Sequence, residues 1–453
     1  MFKKRFYILI LLFSIVVPPS LLSEETQQGG SLDLQKSSSL LALSKQTVWT
    51  LEDSIKRVLE ISPVIHGAVA EVDARKGDLS QAGAWPNPSV EVSGDNKLGI
   101  DDDTGGVALT QVSLDQAIPL GRLSRQRKQA QAQLRVAESN LLYQQLLQET
   151  EVARQFHTLQ FATAQLHEAE AQLKFAERYR KNKNDLQNDP LVRYLTPLEQ
   201  KRLDIVSAEA SQAVASAEGE YAEALSNFKA LLQLPQSTSV EMASPRPVEA
   251  PESMEVLSST QETNHPALIM AKCRVEAYRA GISLAKNELF QDPTFKLFGE
   301  RDFFDEGREN FYGAAVSLPL PLWDHKQGSV RKAKAEALKV EHDLQALKQQ
   351  LQAGLQKNHL HLGHLIEQAE HYRTEILLPA KEVLELTQKG FSSGEVNVLS
   401  LVDANNTYFD ASKRYQVLLY EAWIEMLELH LSAGQSWVGH GHEHDTHSNG
   451  EKI

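Results

Sequence analysis

The stretch SLPLPLWDHKQGSVRKAKAE, residues 317–336, closes an alternating apolar run with two prolines and passes at once into a charged, alanine-rich segment. LDQAIPLGRLSRQRKQAQAQ, residues 114–133, makes nearly the same change. Ahead of the prolines the side chains alternate as on a strand with one wet face. Behind them come strong helix formers. Proline costs little at a strand end, where no ladder donor is lost. One strand-to-helix switch written twice implies one structural programme written twice.

Working outward, Arg122 to about Asn188 holds neither proline nor glycine. As a helix it would reach about 100 Å at ~1.5 Å per residue and would need partners along its whole length. Upstream, Thr50 caps a helix in which Ile55, Val58 and Leu59 recur at helical spacing, predicted to run to about Ala84 and stop at Trp85-Pro86-Asn87-Pro88. Two strands, about 88–97 and 107–118, stand between the helices. A further helix opens at Pro197 and runs to about Leu234. After a Pro/Ser/Glu-rich equatorial insert, 235–263, the order returns: helix, strands at about 293–302 and 311–320, a long helix over 324–389, and a last helix. Pro88 and Pro293, Pro119 and Pro321, and Leu195 and Leu399 lie 205, 202 and 204 positions apart. The chain therefore reads as two repeats, 48–234 and 264–435, of helix, strand, strand, long helix, helix: mainly α with a small β part. Val340, Leu344, Leu347, Leu351 and Leu355 form the apolar seam of the second long helix.

The N-terminus has basic residues before the apolar run Phe6 to Val17, the layout of a signal peptide over 1–23, with a flexible leader over 24–47. No later stretch reaches eighteen uninterrupted apolar residues. Cys273 is the sole cysteine, so no intrachain disulfide forms, and a net charge of −14 argues against non-specific nucleic-acid binding. No phosphate-cradling glycine loop or convergent catalytic cluster appears, so the chain is read as no enzyme, with no cofactor.

The strands pose the decisive problem. Helices that leave a sheet end-on do not cover its apolar face, which then needs another chain or lipid. In lipid, only a closed barrel satisfies the backbone, and four strands are too few to close. Several copies pooling strands can close one. The other architecture the helices allow is a secreted coiled-coil scaffold or adhesin that spans no membrane.

Four pieces carry a family resemblance: TLEDSIKRVLEISPVIHGAVAEVDARKGDLSQAGAWPNPSVEV, LDQAIPLGRLSRQRKQAQAQL, SLPLPLWDHKQGSVRKAKAE and GFSSGEVNVLSLVDANNTYFDA. In this order, on this doubled layout, the sequence resembles the TolC-like outer-membrane efflux proteins, in their heavy-metal (CzcC-like) branch. The resemblance implies a homotrimer in the outer membrane, with twelve strands in one lipid-embedded barrel continued by a periplasmic α-helical barrel. It implies as partners a periplasmic adaptor and an inner-membrane RND pump, with divalent metal cations as cargo, or drugs in other branches. The hairpin tips would be 182–197 and 389–404. Gly390, Gly394, Val398 and Leu399 would dock the adaptor, and Ser400 and Asp403 would line the closed pore. Three copies of Asp403 near an axis would favour cations; a helix-capping aspartate is the bland reading.

Three smaller features complete the sequence reading. The tail carries His440, His442, His444 and His447, imidazoles suited to borderline divalent metals, or else a polar tail. HLHLGHLIEQAEHY places His361 and His364 on one helix face, which by default is solvated. Arg122, Arg125, Arg127 and Lys128 open a helix where its dipole disfavours them, and anionic headgroups would compensate.

Overall fold

In a computed structural model, residues 49–95, 109–185, 196–289, 291–304 and 307–437 are described. The expected signal peptide and leader, the four tail histidines, and most of the first tip lie outside them.

Helix α1 (Leu51–Ile61) begins where Thr50 Oγ1 accepts the Asp53 amide at 3.1 Å. The single helix expected to reach Ala84 is in fact two. Pro63 has no amide to donate, so Ser62 turns extended and α2 (Pro63–Ala82) restarts with the proline in its first turn. Strands β1 (Ser89–Asp95) and β2 (Leu109–Ala117) lead into α3 (Arg122–Asp185), 64 residues and about 96 Å long at ~1.5 Å per residue. A capping box between Thr196 and Glu199 starts α4 (Pro197–Leu231). After it, the Thr238 amide donates to the Pro235 carbonyl at 3.0 Å.

The insert expected to be irregular holds a helix, α5 (Met254–Asn264), because Leu257 and Gln261 find a buried seat. Gln261 Nε2 donates to the Leu351 and Ser432 carbonyls at 3.0 and 2.6 Å. The second repeat continues with α6 (Pro266–Asn287), β3 (Thr294–Phe304) and β4 (Gly307–Ser317). Its long helix is not the uninterrupted rod expected over 324–389. It divides into α7 (Gln327–Tyr372), a π-turn (Arg373–Leu377) and α8 (Leu378–Ser393). Pro379 explains the break: the wider turn, with the Leu378 amide donating to the Arg373 carbonyl, relieves the ring's clash with the preceding turn. Helix α9 (Val398–Ala433) ends the fold.

The sheet order is β1-β2-β3-β4, antiparallel throughout, with Val90, Leu114, Leu297 and Ala314 in register across it. The strands of the second hairpin extend further than expected, pairing as far as Phe304 and Gly307. Below the sheet, α3 packs on α4 within its repeat, and on α6 and α9 of the other repeat. Leu159, Phe228, Leu355, Leu362 and Leu427 are fully buried. On the second long helix Val340 and Leu355 are buried, while Leu344, Leu347 and Leu351 are half-buried.

Candidate functional site

Three places merit attention: the sheet, the α8–α9 tip, and the seam between repeats. On one sheet face Val90, Val92, Val112, Leu114, Leu297 and Val316 are all exposed, Val92 by 68% and Leu297 by 46%. On the other, Lys296 Nζ lies 2.9 Å from Glu91 and 3.8 Å from Asp115, a charged link across three strands. Phe298 lies over Gly313, where an added Cβ would come within 2.5 Å of its ring. The outer edges of β1 and β4 pair with no strand among the described residues. A broad apolar face with two open edges is an association template in water and a lipid surface in a membrane.

Where helices meet strands, Trp85 ahead of β1 and Trp323 after β4 are 62% and 88% exposed, and Leu320 and Leu322 near Trp323 are exposed too. Amphipathic tryptophans mark a membrane boundary. Two of the four cations expected to await headgroups are held within the chain. Arg122 Nε donates to Asp292 at 2.7 Å, and Arg125 donates to the Gly121 carbonyl at 2.9 Å and to Asn287. Arg127 and Lys128 are exposed.

At the tip, Gly394 takes φ +79°, which only glycine adopts freely. A Cβ on Gly390 would meet Val396 at 2.7 Å, so the turn closes on that glycine. Val398 packs inward and Leu399 stands 51% exposed. Asn397 caps α9, its Oδ1 accepting the Ser400 amide at 2.9 Å and the Ser400 hydroxyl at 3.1 Å. The capping reading of Asp403 therefore fails: its carboxylate is exposed inside the helix, one turn beyond Ser400. Tyr179 meets Phe391 edge-on at 5.6 Å, tying α3 to this hairpin.

The seam between α3 and α9 went unread in the sequence. Arg154 pairs with Glu428, His157 stacks on Trp423 at 4.2 Å, Phe161 stacks on Tyr420 at 4.7 Å, and Gln165 Nε2 donates to Gln416 at 2.7 Å. Burial pushes the His157 imidazole down to about 4 and the Glu168 carboxyl up, the latter partly offset by the Ser412 hydroxyl. Recurrence of these groups every three to four residues on α3, and from Gln416 to Trp423 on α9, was the available signal. Elsewhere, His361 Nδ1 lies 3.0 Å from Glu425, and His359 Nε2 lies 3.1 Å from the Glu252 carbonyl. Among the described residues no three histidine, cysteine or carboxylate side chains converge as a metal site.

Doubled helix hairpins carrying a four-stranded, open-edged, lipid-compatible sheet define the fold of the TolC-like outer-membrane efflux channels. Residues 257–435 match the family model described as outer membrane efflux protein. The chain is 23% identical over 393 residues to the cobalt-zinc-cadmium resistance protein CzcC of Cupriavidus metallidurans, covering 83% of this chain and 87% of that protein. Among solved structures, CusC shares the fold with a TM-score of 0.66 at 18% identity, covering 87% of this chain and 96% of its own. The outer membrane protein VceC of Vibrio cholerae does so with a TM-score of 0.67 at 15% identity, covering 85% and 96%.

Proposed function

We propose that this protein is the outer-membrane duct of a tripartite efflux system, trimeric, docked through its tips on a periplasmic adaptor served by an RND pump. The observation that carries the reading is the sheet: four strands, an exposed apolar face, a charged opposite face and two free edges, on helices that do not cover it. Sister strands complete the barrel, lipid covers the apolar face, and the bore is wet. The scaffold reading leaves that face bare in water.

We assign divalent heavy-metal cations as cargo. The assignment is supported by the likeness to CzcC over most of both chains. Asp403, exposed near the tip, is the residue proposed to bias the closed end toward cations, beside Ser400. Gly390, Gly394 and Val398 shape the tip, and Leu399 is its outward apolar contact for the adaptor. The tail histidines would collect metal at low affinity. Deleting the gene should raise sensitivity to cobalt, zinc and cadmium salts more than to dyes and antibiotics. Equal sensitisation to both would remove the metal assignment and leave the duct.

A further inference from the structure

The register sorts the exposed sheet face into rows two residues apart on each strand. Val90, Leu114, Leu297 and Ala314 make one row, and Val92, Val112, Gly299 and Tyr312 the next. One step further, Gly94, Thr110, Arg301 and Asn310 stand in register on the same face. The apolar rows therefore end in a cation. Arg301 is exposed and lies toward the hairpin turns, at the opposite end of the sheet from α3 and α7. From Ser317, where β4 ends, to Asn310 is about 24 Å along the strand at ~3.4 Å per residue. Arg301 marks the far side of the band whose near side carries Trp85 and Trp323.

The ground around Arg301 is shaped. Tyr312, 86% exposed, lays its ring over Gly299, where an added Cβ would touch that ring at 3.5 Å. The glycine leaves the space that the ring occupies, one step from Arg301 on β3. Arg301 Nε donates to Asn310 Oδ1 at 2.9 Å, which holds the guanidinium without neutralising it. The flanking positions Glu300 and Glu309 take the opposite face by alternation. On the helix side of Tyr312 the face holds an apolar hollow of about 520 Å³, walled by Val90, Val112, Leu114, Leu297 and Tyr312. Arg301 and most of the hollow belong to β2 and β3, the inner strands of the sheet, so strands added at either edge leave them open.

An apolar hollow with a charged guanidinium at its outer end has the layout of an amphiphile. We propose that this face holds a phosphate-bearing lipid of the external leaflet, its acyl chain in the hollow and its phosphate on Arg301, beside the Tyr312 ring. With Nε engaged by Asn310, Nη1 and Nη2 are the donors that meet two phosphate oxygens, a pairing stronger than a bond between neutral groups. Asn310 is a positioning residue that sets the angle of this fork. Tyr312 stands at headgroup level, where an aromatic ring with a polar tip belongs. A free inorganic anion would use the guanidinium and gain nothing from the hollow, so the lipid is the occupant that uses both. This rests on the outer-membrane duct reading and adds to it a lipid of defined headgroup at a defined place.

The test uses full-length protein in mild detergent, titrated with diphosphoryl lipid A, with the same lipid stripped of its phosphates, and with inorganic phosphate alone. Native mass spectra count the bound lipid. The diphosphoryl form should bind at least about ten-fold more tightly than the stripped form, and inorganic phosphate at equal concentration should not displace it. Arg301→Gln should bring the two lipids within about two-fold of each other, and Arg301→Lys should keep part of the preference. Lys201→Gln, the same loss of charge on α4, should keep all of it. These positions are exposed in the chain, so folding is spared. Equal binding of both lipids, or a preference that survives Arg301→Gln, would overturn the site and leave the duct standing. Displacement by inorganic phosphate at equal concentration would overturn the lipid as its ligand. A chain that takes up neither lipid and stays monodisperse without detergent would overturn the duct reading as well.

Discussion

The two long helices hold equivalent places in the element order and differ in their surroundings. Helix α3 packs on α1, α2 and α4 of its own repeat and on α6 and α9 of the other. Helix α7 packs on α6 and α9 and more lightly on α5, and α8 packs on α9. Phe161 stacks on Tyr420, whereas its counterpart His364 faces open space. The π-turn that accommodates Pro379 lies on the second long helix, where it contacts α9.

Substitutions at equivalent or opposite positions break or sharpen this contrast. The largest effect is expected at Leu159, fully buried between helices. Leu159→Ala should cost about 2–5 kcal/mol in a denaturant midpoint in detergent, through lost contacts and a cavity. Leu360→Ala, on the bare equivalent flank, should leave chain stability within about 0.5 kcal/mol while weakening assembly. Equal effects would show that the flanks do not differ.

Next is the sheet. Val112→Arg puts a cation on the apolar face and should disfavour membrane assembly by about 2–4 kcal/mol, read as loss of heat-modifiable protein from the outer-membrane fraction. Gln111→Arg, one residue away on the opposite face, should be tolerated. Tolerance of both would remove the lipid-facing assignment.

The internal seam should also be acid-sensitive. His157 has a folded-state value of about 4, below the usual 6.5, so the fold favours its neutral form. The unfolded chain takes up this proton first, so stability is lost as pH falls from about 6.5 through 4, by about 3 kcal/mol in all. Glu168 works in the opposite sense: its raised carboxyl value makes the folded chain the better proton acceptor, which adds stability on acidification and blunts the loss. His157→Phe, which keeps a ring against Trp423, should flatten the acid limb of a melting profile. An unchanged profile would move the acid sensitivity elsewhere.

The smallest effect is at the tip. Asn397→Ala removes the α9 cap and should cost about 1 kcal/mol, seen as faster amide exchange at Ser400 and its neighbours. Asp403→Asn should not alter that exchange, since Asp403 caps nothing.

Much of this architecture was legible in the sequence because period and punctuation are local. The prolines at 119 and 321, the alternation across Val90 to Ser93, and the Thr50 and Thr196 helix starts each depend on a few neighbouring residues. The Ser62–Pro63 break and the π-turn were missed, since a proline inside a helical pattern does not reveal whether the chain breaks, restarts or widens. The α3–α9 seam was missed for a different reason. His157 and Trp423 lie hundreds of positions apart, and only the packed structure shows that two unremarkable helix stripes meet.

The central claim is that four strands from each copy are sealed by strands of sister copies, with lipid outside. Its most direct test is the oligomeric mass of the protein extracted from outer membranes in mild detergent. The account predicts a particle of three chains that falls to one on heating and aggregates when detergent is withdrawn. A folded single chain, monodisperse in detergent-free buffer, would contradict it.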